Sequence, residues 1–159
     1  MTVTKSHKLT LLCLILASLP AVLSAAEVTF VRIWPAWREA ASFERISEYF
    51  GGGENTGRQT VMRTQASQRS GFYFLVRTDN PAAAIADARF ELTVIKPDSP
   101  KPRTYTFAAA VPAGSHVFNL GLTGSDWPGK ETQPVAWQLR LLAADGHEIG
   151  RGKSFLWSK

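Results

Sequence analysis

The feature of this sequence that most restricts its fold is a two-residue period in the apolar positions, repeated in short segments along the chain. Phe90, Leu92 and Val94 alternate with polar residues, a pattern typical of a strand with one buried face. In Gly71–Thr78 both sets of alternate positions are apolar, which predicts a central strand covered on both faces. The turns between such segments are rich in Pro, Gly and Asn. The chain is therefore expected to consist mainly of short strands.

Over the whole chain after residue 26, this pattern predicts an all-β fold in one domain. Strands are expected at Glu27–Trp34, Gln59–Thr64, Gly71–Thr78, Arg89–Val94, from Tyr105 onward, Phe118–Leu122, Val135–Leu141 and Glu148–Trp157. No helical segments alternate with them to cover a parallel sheet, which excludes an α/β fold. We therefore predict an antiparallel β-sandwich of about 7–8 strands over residues 27–159.

A short helix is predicted between the first two strands. Phe43, Ile46 and Phe50 recur at helical spacing, which indicates one or two helical turns. Ser42 is a residue type that caps helix N-termini. The glycines at positions 51–53 are expected to end the helix, because glycine adopts the left-handed conformation of a C-terminal cap without a steric penalty.

The strand spacing and the tryptophan at position 137 resemble immunoglobulin-like or fibronectin type III sandwiches over nearly all of residues 27–159. The paired cysteines of immunoglobulin domains are absent, since the only cysteine is Cys13. The resemblance implies a two-sheet architecture but no particular activity, because sandwiches of this kind carry unrelated functions.

Residues 1–26 have the organisation of a secretory signal peptide. Lys5 and Lys8 precede an apolar run at Leu9–Leu23, and small residues follow up to Ala26. An uncleaved membrane anchor is disfavoured because the run is shorter than the about 20 apolar residues that span a bilayer. A lipoprotein is disfavoured because Cys13 lies inside the run. We expect cleavage after Ala26, an extracytoplasmic (periplasmic or secreted) domain at residues 27–159, and no stable membrane insertion of that domain.

Cysteine and charge content exclude further classes of protein. Cleavage after Ala26 removes Cys13, so residues 27–159 contain no disulfide, reactive thiol or cysteine-based metal site. Cleavage also removes two lysines and lowers the formal net charge from +5 to +3, which weakens the case for a polyanionic partner. The arginines are spread over several strands and turns, so no nucleic-acid partner is expected.

Residue types that carry hydrolytic chemistry occur without the arrangement that this chemistry needs. A serine triad requires a histidine beside both a carboxylate and a serine. His116 begins a strand, His147 follows a turn, and the chain has no Gly-x-Ser-x-Gly motif. Glu44 and Glu48 lie four residues apart among arginines, which suits a solvated helix face better than a glycosidase cleft. We expect no catalytic residue and no enzymatic activity. A small hydrolase remains an alternative that would need the triad.

Metal ligands also lack a recognisable spacing. Asp126 and Glu131 are oxygen donors of the kind that calcium binds, but the spacing of an EF-hand loop is missing. His147 and Glu148 lack the second histidine of a zinc-protease helix. No metal and no cofactor is expected.

Three of the five tryptophans are candidate contact residues for a ligand or partner. Trp34 ends the first predicted strand, Trp37 follows it after Pro35 and Ala36, and Trp127 lies in a loop rich in Gly, Ser and Asp. Exposed aromatic rings beside polar loops bind protein partners or stack on sugars. The favoured alternative for Trp127 is inward packing on the end of the sandwich, because Pro128 and Gly129 restrict its loop.

The sequence thus predicts a secreted or periplasmic β-sandwich protein without enzymatic activity that acts through binding or as an envelope accessory protein. Its partner is expected to be a protein or a glycan. The alternative function is a carbohydrate-binding module that uses Trp127 together with Trp37 or Trp34. Two of these rings exposed in one plane would favour sugar binding, and a scattered or buried set would favour a protein partner or plain packing.

Overall fold

A computed structural model describes residues 27–54 and 56–158. The predicted signal peptide, with Cys13, lies outside the described residues. Three 3-10 turns and one α-helical turn, α1 (Ile46–Tyr49), accompany the strands. The strands are β1 (Thr29–Arg38), β2 (Gln59–Arg63), β3 (Gly71–Asn80), β4 (Ile85–Lys96), β5 (Ser99–Val111), β6 (Gly114–Thr123), β7 (Ala136–Leu142) and β8 (Glu148–Lys153). Because strands dominate the described residues, the predicted all-β class is confirmed.

The strands form two four-stranded sheets that pack face to face as a sandwich. The order of strands is β1-β3-β6-β2 in the first sheet and β5-β4-β7-β8 in the second sheet. The predicted central strand at Gly71–Thr78 is β3, which lies between β1 and β6. Its residues Phe72, Tyr73 and Phe74 are all fully buried, so β3 is covered on both faces, as its composition predicted.

One strand pair departs from the antiparallel arrangement that we predicted for the whole sandwich. β2 runs parallel to β6, with Gln59 beside Val117 and Arg63 beside Gly121. The other five strand pairs within the described part of the chain are antiparallel. β2 is joined to β1 by a long segment rather than by a tight turn, so its local alternation does not fix its direction.

The core lies between the two sheets and is built from alternate, inward-facing residues. The rings of Phe90 and Phe118 meet edge to face with their centroids 5.0 Å apart. Trp137 was predicted to be a core residue, and it packs partly buried against the core with its ring 5.4 Å from that of Phe74. Fully buried members include Phe72, Phe74, Phe90, Leu92, Phe118, Leu120, Leu139 and Leu141. Aromatic pairs of this geometry add about 0.5–1.5 kcal/mol beyond the effect of burial.

The start of the chain's first strand joins the two sheets at one edge. The Val28 amide donates a hydrogen bond to the Ile149 carbonyl of β8 at 2.7 Å, whereas β1 itself pairs with β3. Gly150 permits this approach, because a Cβ there would crowd the Val28 carbonyl oxygen and the Phe30 ring. The first and last strands are therefore in direct contact.

Two strands, β1 and β8, end four residues away from the positions that the sequence predicts. β1 continues past Pro35 to Arg38, which is permitted because β1 is an edge strand whose outer side needs no amide hydrogen. β8 was expected to reach Trp157 but ends at Lys153. The Ser154 hydroxyl accepts a hydrogen bond from the backbone of β7 at 3.0 Å, and the chain then leaves the sheet as a 3-10 turn.

Residues 39–54 and 56–58, here named the covering segment, fold over the outer face of the first sheet. The predicted helix is two separate turns, the 3-10 turn Ala40–Phe43 and α1. Phe43 packs on Tyr73 of β3, with the ring centroids 4.7 Å apart. Ile46 and Phe50 are 78% and 86% exposed. Their helical spacing produces no buried stripe, because α1 is only four residues long.

Candidate functional site

The outer face of the first sheet carries a surface that runs from the sheet edge to its centre. Strand alternation turns Trp34, Ala36 and Arg38 of β1 outward. The register sets Trp34 beside Leu75 and Ala36 beside Tyr73 of β3. Cross-strand neighbours on one face lie within contact distance, so these side chains form one continuous surface.

Tyr73 anchors the covering segment to this face. Its ring is fully buried under Phe43. Its hydroxyl accepts a hydrogen bond from Arg63 Nε at 2.8 Å and donates one to the Arg69 carbonyl at 2.7 Å. Burial raises the pKa of the Tyr73 hydroxyl. Gly121 of β6 makes room for the ring, because a Cβ at this position would overlap it.

Two arginines of this region are paired with acids of the covering segment. The Arg63 guanidinium donates to both carboxylate oxygens of Glu54, at 3.0 and 2.5 Å. Arg69 donates to the Glu48 carboxylate at 2.8 Å. The hydrogen bond from Arg63 lowers the pKa of the Glu54 carboxyl. These two ion pairs hold the covering segment against the sheet. The carboxylates of Glu54 and Glu48 are therefore already bound to arginines of this chain.

A pocket of about 120 Å³ lies between the covering segment and the sheet. Gln59, Leu75 and Asn119 line it from the sheet, and Arg45 and Thr56 line it from the covering segment. Arg38, at the end of β1, also lines it. We name this cavity the arginine pocket.

The arginine pocket is rich in hydrogen-bond donors. Neither Arg38 nor Arg45, which both line it, forms an ion pair with another residue that the structure describes. The Glu54 carboxylate also lines the pocket but is already paired. Gln59 Oε1 accepts a hydrogen bond from Asn119 Nδ2 at 2.8 Å, so the Gln59 NH2 group is available to donate. Such an arrangement favours a group that accepts hydrogen bonds and carries negative charge.

A shallower surface continues from the arginine pocket to the edge of the sheet. It is lined by Trp34, Ala36, Arg38 and Leu75, and the last two residues also line the pocket. Trp34 is 37% exposed, and the Arg32 guanidinium lies 4.6 Å from its ring centre, a cation–π contact. We name this surface the Trp34 shelf.

Trp127, one of the three predicted contact residues, packs inward. It is 4% exposed, and its ring stacks on Phe72 with a centroid distance of 4.6 Å. Its Nε1 donates to the Thr132 carbonyl at 3.2 Å. Because the ring is buried and its polar atom is bonded, Trp127 offers no stacking surface to a ligand. This placement agrees with the favoured alternative of packing on the end of the sandwich.

Trp34 and Trp37 lie on opposite faces of β1, because they are three positions apart and side chains alternate between the two faces of a strand. Trp37 packs partly buried against the core, and its Nε1 donates to Glu39 Oε1 at 2.9 Å. No two of the three predicted rings therefore share an exposed plane. The set is scattered, and Trp34 is its member on the candidate surface.

Neither of the two histidines in the described part of the chain lines this surface. His116 Nε2 is 2.9 Å from Thr60 Oγ1, and burial lowers the pKa of its imidazole. His147 Nδ1 is 2.5 Å from Asp145 Oδ1 in an exposed turn. Among the hydrogen bonds of the described residues, neither histidine is bonded to both a carboxylate and a serine.

Within residues 27–54 and 56–158, no group of three or more His, Cys, Asp or Glu side chains is arranged to hold a metal ion. In the same part of the chain, no helix is both long and apolar enough to cross a membrane. No protein-family model matches this sequence, and no curated protein matches it either. By its fold and surface, the chain is an all-β sandwich with a covered outer sheet face.

The sequence did not indicate Arg38, Arg45 or Gln59 as site residues. One signal was available, because Tyr73 and Leu75 place apolar groups on the second face of β3 and so require a cover for that face. The residues that supply the cover, and the cavity under it, follow from the path of the covering segment, which no local pattern encodes.

Proposed function

We propose that this chain is a secreted or periplasmic protein that acts through binding, as an envelope accessory protein, and has no enzymatic activity. The observation that carries the proposal is the continuous surface formed by the arginine pocket and the Trp34 shelf. It combines arginine and amide donors with an exposed tryptophan ring, and these residue types contribute most to binding surfaces. We further propose that the sandwich is immunoglobulin-like or fibronectin type III-like, with the parallel β2–β6 pair as a departure from an all-antiparallel arrangement.

Along the edge strand β1, binding through side chains on the sheet face is favoured over the addition of a partner strand. β1 contains Pro35, and the edge strand β5 contains Pro100 and Pro102, whereas the edge strands β2 and β8 contain no proline. Proline lacks the amide hydrogen that pairing with an added strand uses. At the β1 edge the partner is therefore expected to contact the Trp34 shelf and the arginine pocket.

Carbohydrate binding is the second candidate, and the exposed ring of Trp34 is the observation that favours it. An aromatic ring flanked by hydrogen-bond donors stacks on a sugar face. Neither Trp37 nor Trp127 adds a second platform, so this function would depend on one ring.

Capture of partners from the native envelope fraction tests the proposal. We expect the immobilised chain to retain a partner and the Trp34→Ala variant to lose it, because Trp34 is the one aromatic side chain among the residues that line the shelf. Val31→Ala is the matched control, since Val31 is 55% exposed on the same edge of the sheet but lies outside the shelf. Equal capture by Trp34→Ala and the parent chain would contradict the assigned surface. Release of the partner by a free oligosaccharide would favour the second candidate.

A further inference from the structure

We infer that the arginine pocket and the Trp34 shelf together bind an amphiphilic anion, a carboxylate or phosphate group joined to an apolar group. This inference rests on the proposed binding function and names the ligand class for the same surface. The pocket takes the anionic oxygens, and the shelf takes the apolar part.

The two cations of the pocket differ from their neighbours in forming no ion pair with a described residue. Arg63 and Arg69 use the carboxylates of Glu54 and Glu48. Arg38 and Arg45 line the cavity without an ion pair to any residue that the structure describes. The Glu54 carboxylate also lines the cavity, but its charge is balanced by Arg63. Two like charges that face one cavity repel each other, and an anion between them lowers that repulsion, so the pocket favours an anionic ligand.

The neutral groups of the pocket support the same ligand. The Gln59 amide is oriented by the hydrogen bond from Asn119, whose side chain is 2% exposed. The carbonyl oxygen of Gln59 accepts this bond, and the NH2 group of Gln59 remains as a donor. Guanidinium groups bind carboxylate and phosphate through paired hydrogen bonds. A neutral ligand would form weaker hydrogen bonds with these donors and would leave the two arginine charges unbalanced.

The apolar part of the ligand is defined by the shelf. Arg38 and Leu75 line both the pocket and the shelf, so the two cavities adjoin at these side chains and one ligand of sufficient length contacts both. Arg38 and Trp34 are four residues apart on one strand face, which corresponds to about 13 Å. The ligand is therefore expected to carry its apolar group within about 13 Å of its charge. The apolar side chain and terminal carboxylate of a peptide satisfy this limit, and so does a short alkyl phosphate.

Titration with matched charged and neutral probes, followed by NMR, tests the inference. The first pair of probes is N-acetylphenylalanine and its amide, which represent a protein C-terminus with and without its charge. The second pair is hexyl phosphate and hexanol, which represent a lipid phosphate and its uncharged counterpart. We expect the charged member of at least one pair to bind about tenfold or more tightly than its neutral partner. The pair that shows this preference identifies the source of the anion.

Three arginine variants separate the pocket from the general charge of the surface. Arg38→Gln and Arg45→Gln should each weaken binding of the charged probe by about tenfold or more and leave binding of the neutral probe unchanged. Arg77→Gln is the control, because Arg77 lies on the same outer face of β3 as Leu75 but lines neither cavity. It should leave the binding of both probes unchanged. Thermal unfolding of each variant verifies its fold. If Arg38→Gln does not fold, Arg45→Gln and the comparison of charged with neutral probes decide the question.

Equal binding of charged and neutral probes would overturn the inference, and so would unchanged binding in folded Arg38→Gln and Arg45→Gln. Absence of binding by both charged probes would overturn it as well. If partner capture still depended on Trp34 in that case, the proposed function would stand with a ligand of another class. If neither charged probe bound and partner capture did not depend on Trp34, the inference and the proposed function would both be wrong.

Discussion

Single side chains on the outer face of the first sheet determine which arginines serve the fold and which remain for a ligand. The Arg63 guanidinium donates to Tyr73 through Nε and to Glu54 through both terminal nitrogens. Each of its three nitrogens therefore donates to a partner within the protein. Arg38 and Arg45 line the arginine pocket and form no ion pair with a described residue. Arginines of one region thus have different roles because of their partners.

We predict that Tyr73→Phe lowers the free energy of unfolding by about 1–3 kcal/mol, because Arg63 then loses a buried hydrogen-bond partner. Tyr49→Phe is the matched control, since the Tyr49 hydroxyl also donates a hydrogen bond, to Glu44, but its side chain is 76% exposed. That variant should change the unfolding free energy by less than about 0.5 kcal/mol. Denaturant unfolding measures both, and equal losses would show that the Tyr73 hydroxyl does not hold the cover.

We predict that His116 makes part of the stability depend on pH. Burial lowers the pKa of its imidazole, so the folded protein favours the neutral ring. The stability that this provides is present above the unfolded-state pKa of about 6.5 and is lost as the pH falls through the folded-state pKa. His116→Gln should therefore flatten the decline of unfolding free energy on acidification from pH 7. Superimposable pH profiles for the variant and the parent chain would contradict this.

The elements of this fold differ in how far a sequence pattern specifies them. β4 has regular alternation over Phe90, Leu92 and Val94, and its place was predicted because a two-residue period has one structural solution. The direction of β2 was not predictable, because it depends on the path of the covering segment that connects β1 to β2. The exposure of Ile46 and Phe50 was not predictable either, because a single helical turn cannot bury a stripe.

We predict that Gly121→Ala destabilises the protein by about 1–3 kcal/mol, because the added methyl group would overlap the Tyr73 ring and displace the cover. Gly53→Ala is the control, since a Cβ at Gly53 meets no atom within 4 Å and the residue lies in the covering segment. Thermal unfolding of both variants measures the difference. Similar unfolding midpoints for the two variants would mean that the Tyr73 ring moves aside without cost and that its packing does not require the space left by Gly121.

At the scale of the whole molecule, the candidate site is assembled from positions that lie far apart in the sequence. The arginine pocket combines Arg38 and Arg45 with Gln59, Leu75 and Asn119. No local motif relates these positions. Leu75 and Asn119 are paired across β3 and β6, and Arg45 reaches them only because the covering segment crosses the sheet. The sandwich itself was predictable from repeated local patterns, and the pocket was not, because it depends on tertiary placement.

We predict that the mature protein begins near Glu27, from the order of charged, apolar and small residues at 1–26. The position fits the fold, because Val28 is 1% exposed and its amide is bonded to β8. N-terminal sequencing of protein from the extracytoplasmic fraction checks the prediction. A retained Met1, or a lipid-modified Cys13, would contradict it.

The contact between Val28 and Ile149 makes the first strand to be synthesised depend on the last one. Contacts between distant parts of a chain form slowly, because a long loop must close before the contact stabilises anything. The edge that joins the two sheets cannot be completed until β8 has been made. If the chain is exported as proposed, this edge can close only once the first and the last strand are on the same side of the membrane.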